Sequence, residues 1–259
     1  MTVAARLAPF LPSRLVAATA RVLYTRFEPE LARLDELCPA GCGTALDVGG
    51  WYGPWSRRLA RTARQVVTVE PVPRLAGLLR SSAPANMRIV EAAASDVAGT
   101  ARLWLPAGDG GERGVSSLVQ RDIHGRGIDV RTVTLDSLGL SDVGFIKIDV
   151  DGNEQAVLRG ARELLTRDRP ALFIELEARI QPVAPVVDHL AELGYQGWVL
   201  PAKNWVPLRD FGLESHQAAT AHVVQQGLLR RVLPLSGPRY VNSVLFLPDG
   251  RRPAGAAQA

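Results

Sequence analysis

An α/β fold built on a mostly parallel sheet is what this 259-residue chain predicts, on three observations. From Thr44 onward, short β-branched runs alternate with helical segments, the rhythm of strand–helix–strand units. The first run ends in Asp47-Val48 and passes through a glycine turn into a helix opened by Pro54, which suits the first helical position. The second run closes on an acidic residue, Glu70. A composition of 47% hydrophobic and 22% charged residues supplies a sizeable core and excludes a disordered chain. The length fits one large domain with an extension.

In order, the expected strands are Thr44–Val48, Gln65–Glu70, Met87–Glu91, Thr100–Leu105, Val130–Leu135, Phe145–Asp149, Ala171–Leu176, Gly197–Leu200 and Tyr240–Leu247. Pro54–Arg64, Arg74–Ser82, Glu154–Arg167 and Val183–Leu193 carry helical spacing. Residues 1–36 form an expected helical extension, with Arg14 and Arg21 on one face and Leu15, Ala18, Val22 and Leu23 on another. Residues 37–248 form the main domain, and 249–259, rich in Gly, Pro, Ala and Arg, a flexible tail. Between Gly99 and Val143 the rhythm breaks, and Gly108, Gly110, Gly111 and Gly114 suit a mobile loop.

Charge and cysteine usage narrow the partners. The net charge is +4, carried almost wholly by arginine, since the only lysines are Lys147 and Lys203. The arginines form isolated pairs such as Arg57-Arg58 and Arg230-Arg231 instead of a basic stripe, which argues against nucleic acid and suits an anionic small molecule or an acidic partner protein equally well. No run approaches the ~20 apolar residues of a membrane helix. Pro9, Pro12 and Arg14 interrupt the first apolar stretch, so a secretory leader is not expected and a cytoplasmic location is. Cys38 and Cys42 cannot make a disulfide framework or a four-ligand zinc site, and free thiols are expected. A homo-oligomer is compatible with all of this.

The turn Asp47-Val48-Gly49-Gly50-Trp51-Tyr52-Gly53 is the most informative segment. Gly49 and Gly50 remove side chains where a ligand would approach the backbone, and the helix start offers free N–H groups to an anion. Glu70 at the next strand end can accept bonds from both hydroxyls of a ribose. A nicotinamide site would want G-x-G-x-x-G, and Trp51 stands where its second glycine belongs. The spacing of Asp47, Gly49 and Gly53 suits S-adenosylmethionine instead. Trp51 and Tyr52 either offer flat walls to a ring-shaped acceptor or pack under the N-terminal helix.

With these residues in place, the chain resembles the FkbM-type S-adenosylmethionine-dependent methyltransferases over roughly Arg26 to Pro248. The shared pieces are Phe27-Glu28-Pro29-Glu30-Leu31, the Asp47–Gly53 turn, Val69-Glu70-Pro71, Ala93-Ala94-Ser95-Asp96, Thr134-Leu135-Asp136, Arg169-Pro170 with Glu175, and Tyr240-Val241-Asn242. Most specific is Ile146-Lys147-Ile148-Asp149-Val150-Asp151-Gly152-Asn153-Glu154. The family commonly has Ala-Asn at Gly50-Trp51 and Glu at Asp151. The resemblance implies a Rossmann-like class I methyltransferase sheet of seven strands, mostly parallel with the last antiparallel, helices on both faces, and O-methylation of a hydroxyl. It also implies that Glu28, Pro71, Ala94, Ser95, Asp96 and Asp149 join Asp47, Gly49, Gly50, Trp51, Gly53 and Glu70 around the cofactor.

Period 2 along the strand at Phe145 puts Phe145, Lys147 and Asp149 on one face and Ile146, Ile148 and Val150 on the other. A buried Lys147 needs an anion, and Asp149 or Glu175 can supply it. Asp149, Asp151, Glu154 and Glu175 then form an acidic set that orients the reactants, with one member removing the acceptor's proton. Alternatively, Asp149 and Glu175 hold a divalent cation such as Mg²⁺, although two carboxylates are a sparse ligand set. Asp151 and Glu154 also suit a helix start without any catalytic duty. Among the histidines, His124 in the insert is the candidate general base, with His216 and His222 behind it and His189 assigned to packing. The expected activity is methyl transfer from S-adenosylmethionine to a small-molecule hydroxyl, on a sugar or polyketide-like metabolite. The alternatives are a cofactor-binding subunit without turnover and an enzyme acting on peptide or RNA.

Overall fold

The computed structural model describes residues 28–38, 41–107, 114–225 and 239–256. Most of the expected N-terminal helical extension, Gly108, Gly110 and Gly111 of the insert, and the last three residues of the expected tail lie outside them.

A 3-10 turn (Pro29–Arg33) and a single helical turn α1 (Leu34–Leu37) lead into the sheet. The strands are β1 (Thr44–Val48), β2 (Gln65–Val69), β3 (Met87–Val90), β4 (Ala93–Ala94), β5 (Gly99–Pro106), β6 (His124–Val133), β7 (Val143–Ile148), β8 (Ala171–Glu175), β9 (Tyr195–Val199), β10 (Val206–Pro207) and β11 (Ser243–Pro248). Helices α2 (Pro54–Thr62), α3 (Pro73–Arg80), α4 (Glu154–Arg159), α5 (Arg162–Asp168), α6 (Ala184–Glu192) and α7 (Leu213–Gln225) intervene. The main sheet runs β10-β9-β11-β8-β7-β1-β2-β3. The pairs from β8 to β3 are parallel, and β11 is antiparallel to both of its neighbours. This is the mixed α/β architecture expected, with one strand more than seven. The extra strand is β10, two residues at the edge, too short to carry a period of its own.

Chain order reverses at β1: β2 and β3 are laid down on one side, β7 and β8 on the other. The carboxyl ends of β1 and β7 therefore bound the crevice where open α/β sheets take their ligands. The insert is not a loop alone. Its residues form an antiparallel β5–β6 ladder that, with β4, makes a second three-stranded sheet.

The expected helix Glu154–Arg167 is split into α4 and α5 at Gly160-Ala161. Gly160 is pressed against Ser95, whose carbonyl oxygen would lie 2.1 Å from an added Cβ, and its own carbonyl accepts a bond from Asp136 N–H. Helix α7 was not anticipated, because its buried Gln217 and Thr220 replace the apolar stripe that marks a helix in sequence.

The two faces of the sheet differ. Ile146, Ile148, Leu172, Ile174, Val67 and Val69 join one wholly apolar cluster. Phe145 and Phe173 face the opposite side with Trp55, Leu59, Leu31 and Trp198. The same side carries a buried polar island of Asp47, Thr68 and Lys147, adjacent in register.

The expectation of free thiols is corrected: Cys38 and Cys42 are bridged, with Cα atoms 5.9 Å apart. A framework needs several pairs, but a local bridge between α1 and the approach to β1 needs only one, and Cys38 is fully buried there. Among the described residues no helix is long and apolar enough to cross a membrane.

Candidate functional site

The turn after β1 is shaped by protein contacts. Gly49 sits at φ +84°, and a Cβ there would lie 1.8 Å from the carbonyl oxygen of Asp149 on neighbouring β7. A Cβ on Gly50 would meet the Thr68 methyl at 2.2 Å. These glycines were expected to make room for a ligand; their first physical reason is the closeness of adjacent strands. Gly53 caps α2, with Pro54 opening it as expected.

Trp51 holds φ +47°, an uncommon conformation for a bulky residue. Glu70 stabilises it: Trp51 N–H donates to Glu70 Oε2 at 2.7 Å, while Val72 N–H donates to Oε1 at 2.9 Å. Burial pushes the Glu70 carboxyl up to about 7 against the pull of these two bonds. Pro71 follows, half-buried. The Trp51 and Tyr52 rings meet edge to face at 4.8 Å. Both pack with Val72, Leu75, Leu103 and Leu105 beneath the second sheet, Tyr52 fully buried and Trp51 partly. Tyr52 is therefore core under β5 and β6, and the N-terminal helix of the alternative expectation lies outside the described residues.

Beneath the turn, Asp47 Oδ2 accepts a bond from Ser56 Oγ, which in turn accepts one from Thr68 Oγ1 at 2.9 Å. Asp47 Oδ1 is buried without a partner among the described residues, and burial raises the pKa of the carboxyl. Lys147 Nζ donates to Asp149 Oδ2 at 2.9 Å, with the lysine side chain 4% exposed, so Asp149 supplies the anion that burial demands. Burial alone would lower Lys147, yet Asp149, Glu28, Asp47 and Glu175 hold it well above the ordinary lysine value. Glu28 reaches in from the chain ahead of the 3-10 turn and accepts a bond from Trp55 Nε1. Burial brings its carboxyl to about 7, with Lys147 opposing. Glu30, fully buried, binds Arg239 at 2.6 Å and anchors that segment.

Beyond Asp149 lies a small cleft lined by Asp149, Asp151, Glu154, Glu175, Glu177 and Gln181 with Gly152 and Ile180. Burial brings Asp151 to about 6, aided by Asp149 and opposed by Arg121. It brings Glu154 to about 7. Glu175 is raised well above the ordinary carboxylate range by burial and then by the charge of Asp149. Asn242 Nδ2 donates to Glu175 Oε1 at 2.5 Å and to Glu177 Oε1 at 3.1 Å. Glu177 Oε2 also accepts from Arg179 and from the Tyr240 hydroxyl. Buried Gln217 binds Ala178 N–H and the carbonyls of Leu176 and Val241, fixing this segment.

His124, the candidate base, is engaged at both nitrogens: Nδ1 accepts from Arg121 N–H and Nε2 donates to the Val115 carbonyl, each at 3.0 Å. It staples a loop, and no proton-accepting position is left over. His216 binds the Arg239 carbonyl, and His222 is exposed on α7. Ala94 ends β4, and Ser95 and Asp96 follow it. Asn153 Nδ2 donates to the Ala94 carbonyl, and Asp96 is paired with Arg159 at 2.7 Å, which lowers its pKa. Among the described residues no three acids, histidines or cysteines are grouped as metal ligands.

Glu177, Asn242, Tyr240, Gln181 and Arg121 carry much of this geometry, yet no short motif announces them. Only Tyr240-Val241-Asn242, as part of the resemblance, gave a signal.

The donor set suits a cationic ligand bearing a vicinal diol. Five buried or half-buried acids (Glu28, Asp47, Glu70, Asp149 and Glu175) surround one lysine at the switch point, and burial raises four of them toward neutrality. A cation restores their ionised forms.

A family model described as the methyltransferase FkbM domain matches residues 18–196. Among solved structures, methyltransferase FkbM from Methylobacillus flagellatus KT is 14% identical over 79% of this chain and 43% of that one, with a TM-score of 0.49. The chain thus spans less than half of that protein. An O-methyltransferase from Bacillus cereus, in complex with SAH, is 15% identical over 90% and 86% of the two chains, TM-score 0.45. Precorrin-6y C5,15-methyltransferase from Geobacter metallireducens GS-15 is 13% identical over 84% and 85%, TM-score 0.44. No protein of curated function matches in sequence.

Proposed function

The chain belongs to the FkbM methyltransferase family, and on that premise we propose that it is an S-adenosylmethionine-dependent O-methyltransferase acting on a hydroxyl of a small molecule, of the sugar or polyketide-like class. The observation that carries the reading is the pairing, at the β1–β7 switch point, of the Glu70-held glycine turn with the Lys147–Asp149 ion pair. When bound, the cofactor supplies an electrophilic methyl group.

Glu70, Pro71 and the Trp51 turn hold the ribose, because each Glu70 oxygen retains a lone pair after its backbone bond. Asp149, with Glu28 and Asp47 behind it, receives the cationic methionine end. Ala94, Ser95 and Asp96 border the adenine. The acceptor occupies the acidic cleft, where Arg121, Lys147 and Arg179 are already paired with Asp151, Asp149 and Glu177, which favours a neutral polyol over an anionic acceptor. Glu175 would serve as the base: Asn242 fixes Oε1 and leaves Oε2 to take the proton of the acceptor hydroxyl. Burial, and then the charge of Asp149, raise the pKa of the Glu175 carboxyl, which makes it the stronger proton acceptor. Asp149 is less suited, since Lys147 occupies it.

The test is incubation with methyl-labelled S-adenosylmethionine and a panel of glycosides, aglycone alcohols, peptides and RNA. Label on a small-molecule oxygen supports the reading; label on RNA or peptide alone overturns the acceptor class. Cofactor binding without turnover on the full panel overturns the enzymatic part.

A further inference from the structure

The segment from Gly114 to His124 lies between β5 and β6 and touches both sides of the switch point. Gly114 rests against the Trp51 indole, where an added Cβ would sit 3.4 Å from Nε1. Ser117 pairs with Trp104 of β5 through two backbone bonds of 2.8 and 3.1 Å, and His124 staples the segment internally. Its other end grips one residue twice. Ser117 Oγ donates to the Asp151 carbonyl at 2.7 Å, and Arg121 Nη2 donates to Asp151 Oδ2 at 2.8 Å. The ion pair is well shielded, at 20% and 15% side-chain exposure. Val119 lies beside Gly152, next to Ile180 at the cleft.

Trp51 follows β1 and Asp151 follows β7, adjacent strands, so this strap crosses from one to the other. Both residues hold left-handed backbones, at φ +47° and +57°, which non-glycine residues keep only where the surroundings enforce them. Exposed ion pairs contribute little. Here a shielded pair and a hydroxyl–carbonyl bond act on one strained residue that also lines the acidic cleft.

We propose that Ser117 and Arg121 are positioning residues that hold the strap across the mouth of the site, so that cofactor and product exchange only when their grip on Asp151 is released. The proposal rests on the functional reading above, in that the exchanging molecule is S-adenosylmethionine or its product S-adenosylhomocysteine. Slow release fits the chemistry, because methyl transfer gains from a closed, water-poor site and exchange then requires opening.

The experiment combines amide hydrogen exchange of residues 115–124 with stopped-flow release of S-adenosylhomocysteine, on wild type, Arg121→Ala, Arg121→Lys and Ser117→Ala. In Arg121→Ala, exchange at 115–124 and release should both rise about tenfold, the worth of one charge-assisted bond. The melting temperature should hold, Arg121→Lys should fall between, and Ser117→Ala should show a smaller rise. Unchanged release in a folded Arg121→Ala overturns the proposal while leaving the functional reading intact, as does faster release with unchanged exchange. A wild type that binds neither S-adenosylmethionine nor S-adenosylhomocysteine overturns the functional reading and the gating with it.

Discussion

At the turn after β1, both oxygens of Glu70 hold backbone N–H groups, and the space beside Gly49 and Gly50 is filled by Asp149 and Thr68. One strand away, after β7 and β8, five carboxylates line a small cleft, and three of them face a cation: Lys147, Arg121 or Arg179. The first region is finished by the protein itself. The second keeps an excess of negative charge that burial drives toward protonation. A shape-defined turn beside a charge-defined cleft suits the two tasks of the proposed function, holding a cofactor in one register and accommodating a reacting acceptor.

The largest way to break this contrast is at its junction. Lys147→Ala removes the cation paired with Asp149 and leaves that carboxylate partly buried without it. A loss of about 3–5 kcal/mol is expected from urea unfolding at pH 7. A loss under about 1 kcal/mol would mean that the island is wetter than its burial indicates.

Glu28 tests the charge excess. Its folded pKa of about 7 lies above the ordinary value of 4.5, so folding favours the protonated form. That contribution is complete below about pH 4.5 and is lost as pH rises through about 7. Glu28→Gln keeps an acceptor for Trp55 and loses nothing with pH. It should therefore gain on wild type between pH 5 and pH 8 by up to about 3 kcal/mol, read from paired unfolding curves. A constant difference across that window would remove Glu28 from the coupled set.

Glu70→Ala sharpens the shape side. Loss of charged bonds worth about 1.5–3 kcal/mol each should weaken S-adenosylhomocysteine binding by about tenfold or more in calorimetry, with a folded protein. Unchanged affinity would reduce Glu70 to a staple for Trp51. The smallest effect belongs outside both regions. Arg102–Asp129 is an ion pair on the insert with side chains 51% and 68% exposed. Arg102→Ala should change stability by about 0–1 kcal/mol and leave cofactor binding unaltered.

The contrast also marks what the sequence discloses. The turn is local: Asp47 through Pro54 and then Glu70 lie within two strand ends, so spacing alone exposes them, as does the alternation that puts Lys147 and Asp149 on one face. The cleft region is assembled from Arg121, Asp151, Glu177 with Gln181, and Asn242, spread over four segments, and only packing brings them together. His124 illustrates the cost of reading residue type without partners. Its chemistry suits a base, but two backbone groups consume both nitrogens. Gly49 shows the converse, a glycine singled out for ligand approach that the fold requires for another reason, since a neighbouring carbonyl forbids its side chain.

The central claim is that the switch point is an acid-rich cradle awaiting a cation, and titration calorimetry of S-adenosylmethionine at pH 6 and pH 8, in buffers of different ionisation enthalpy, tests it most directly. Glu28, Glu70 and Glu154 lie near 7 and Asp151 near 6, so a bound sulfonium must draw them into their ionised forms. The predicted result is net proton release at pH 6 and tighter binding at pH 8, with S-adenosylhomocysteine, whose sulfur is neutral, responding less. Binding that neither releases protons nor tightens with pH, or no binding to the folded wild type, would contradict it.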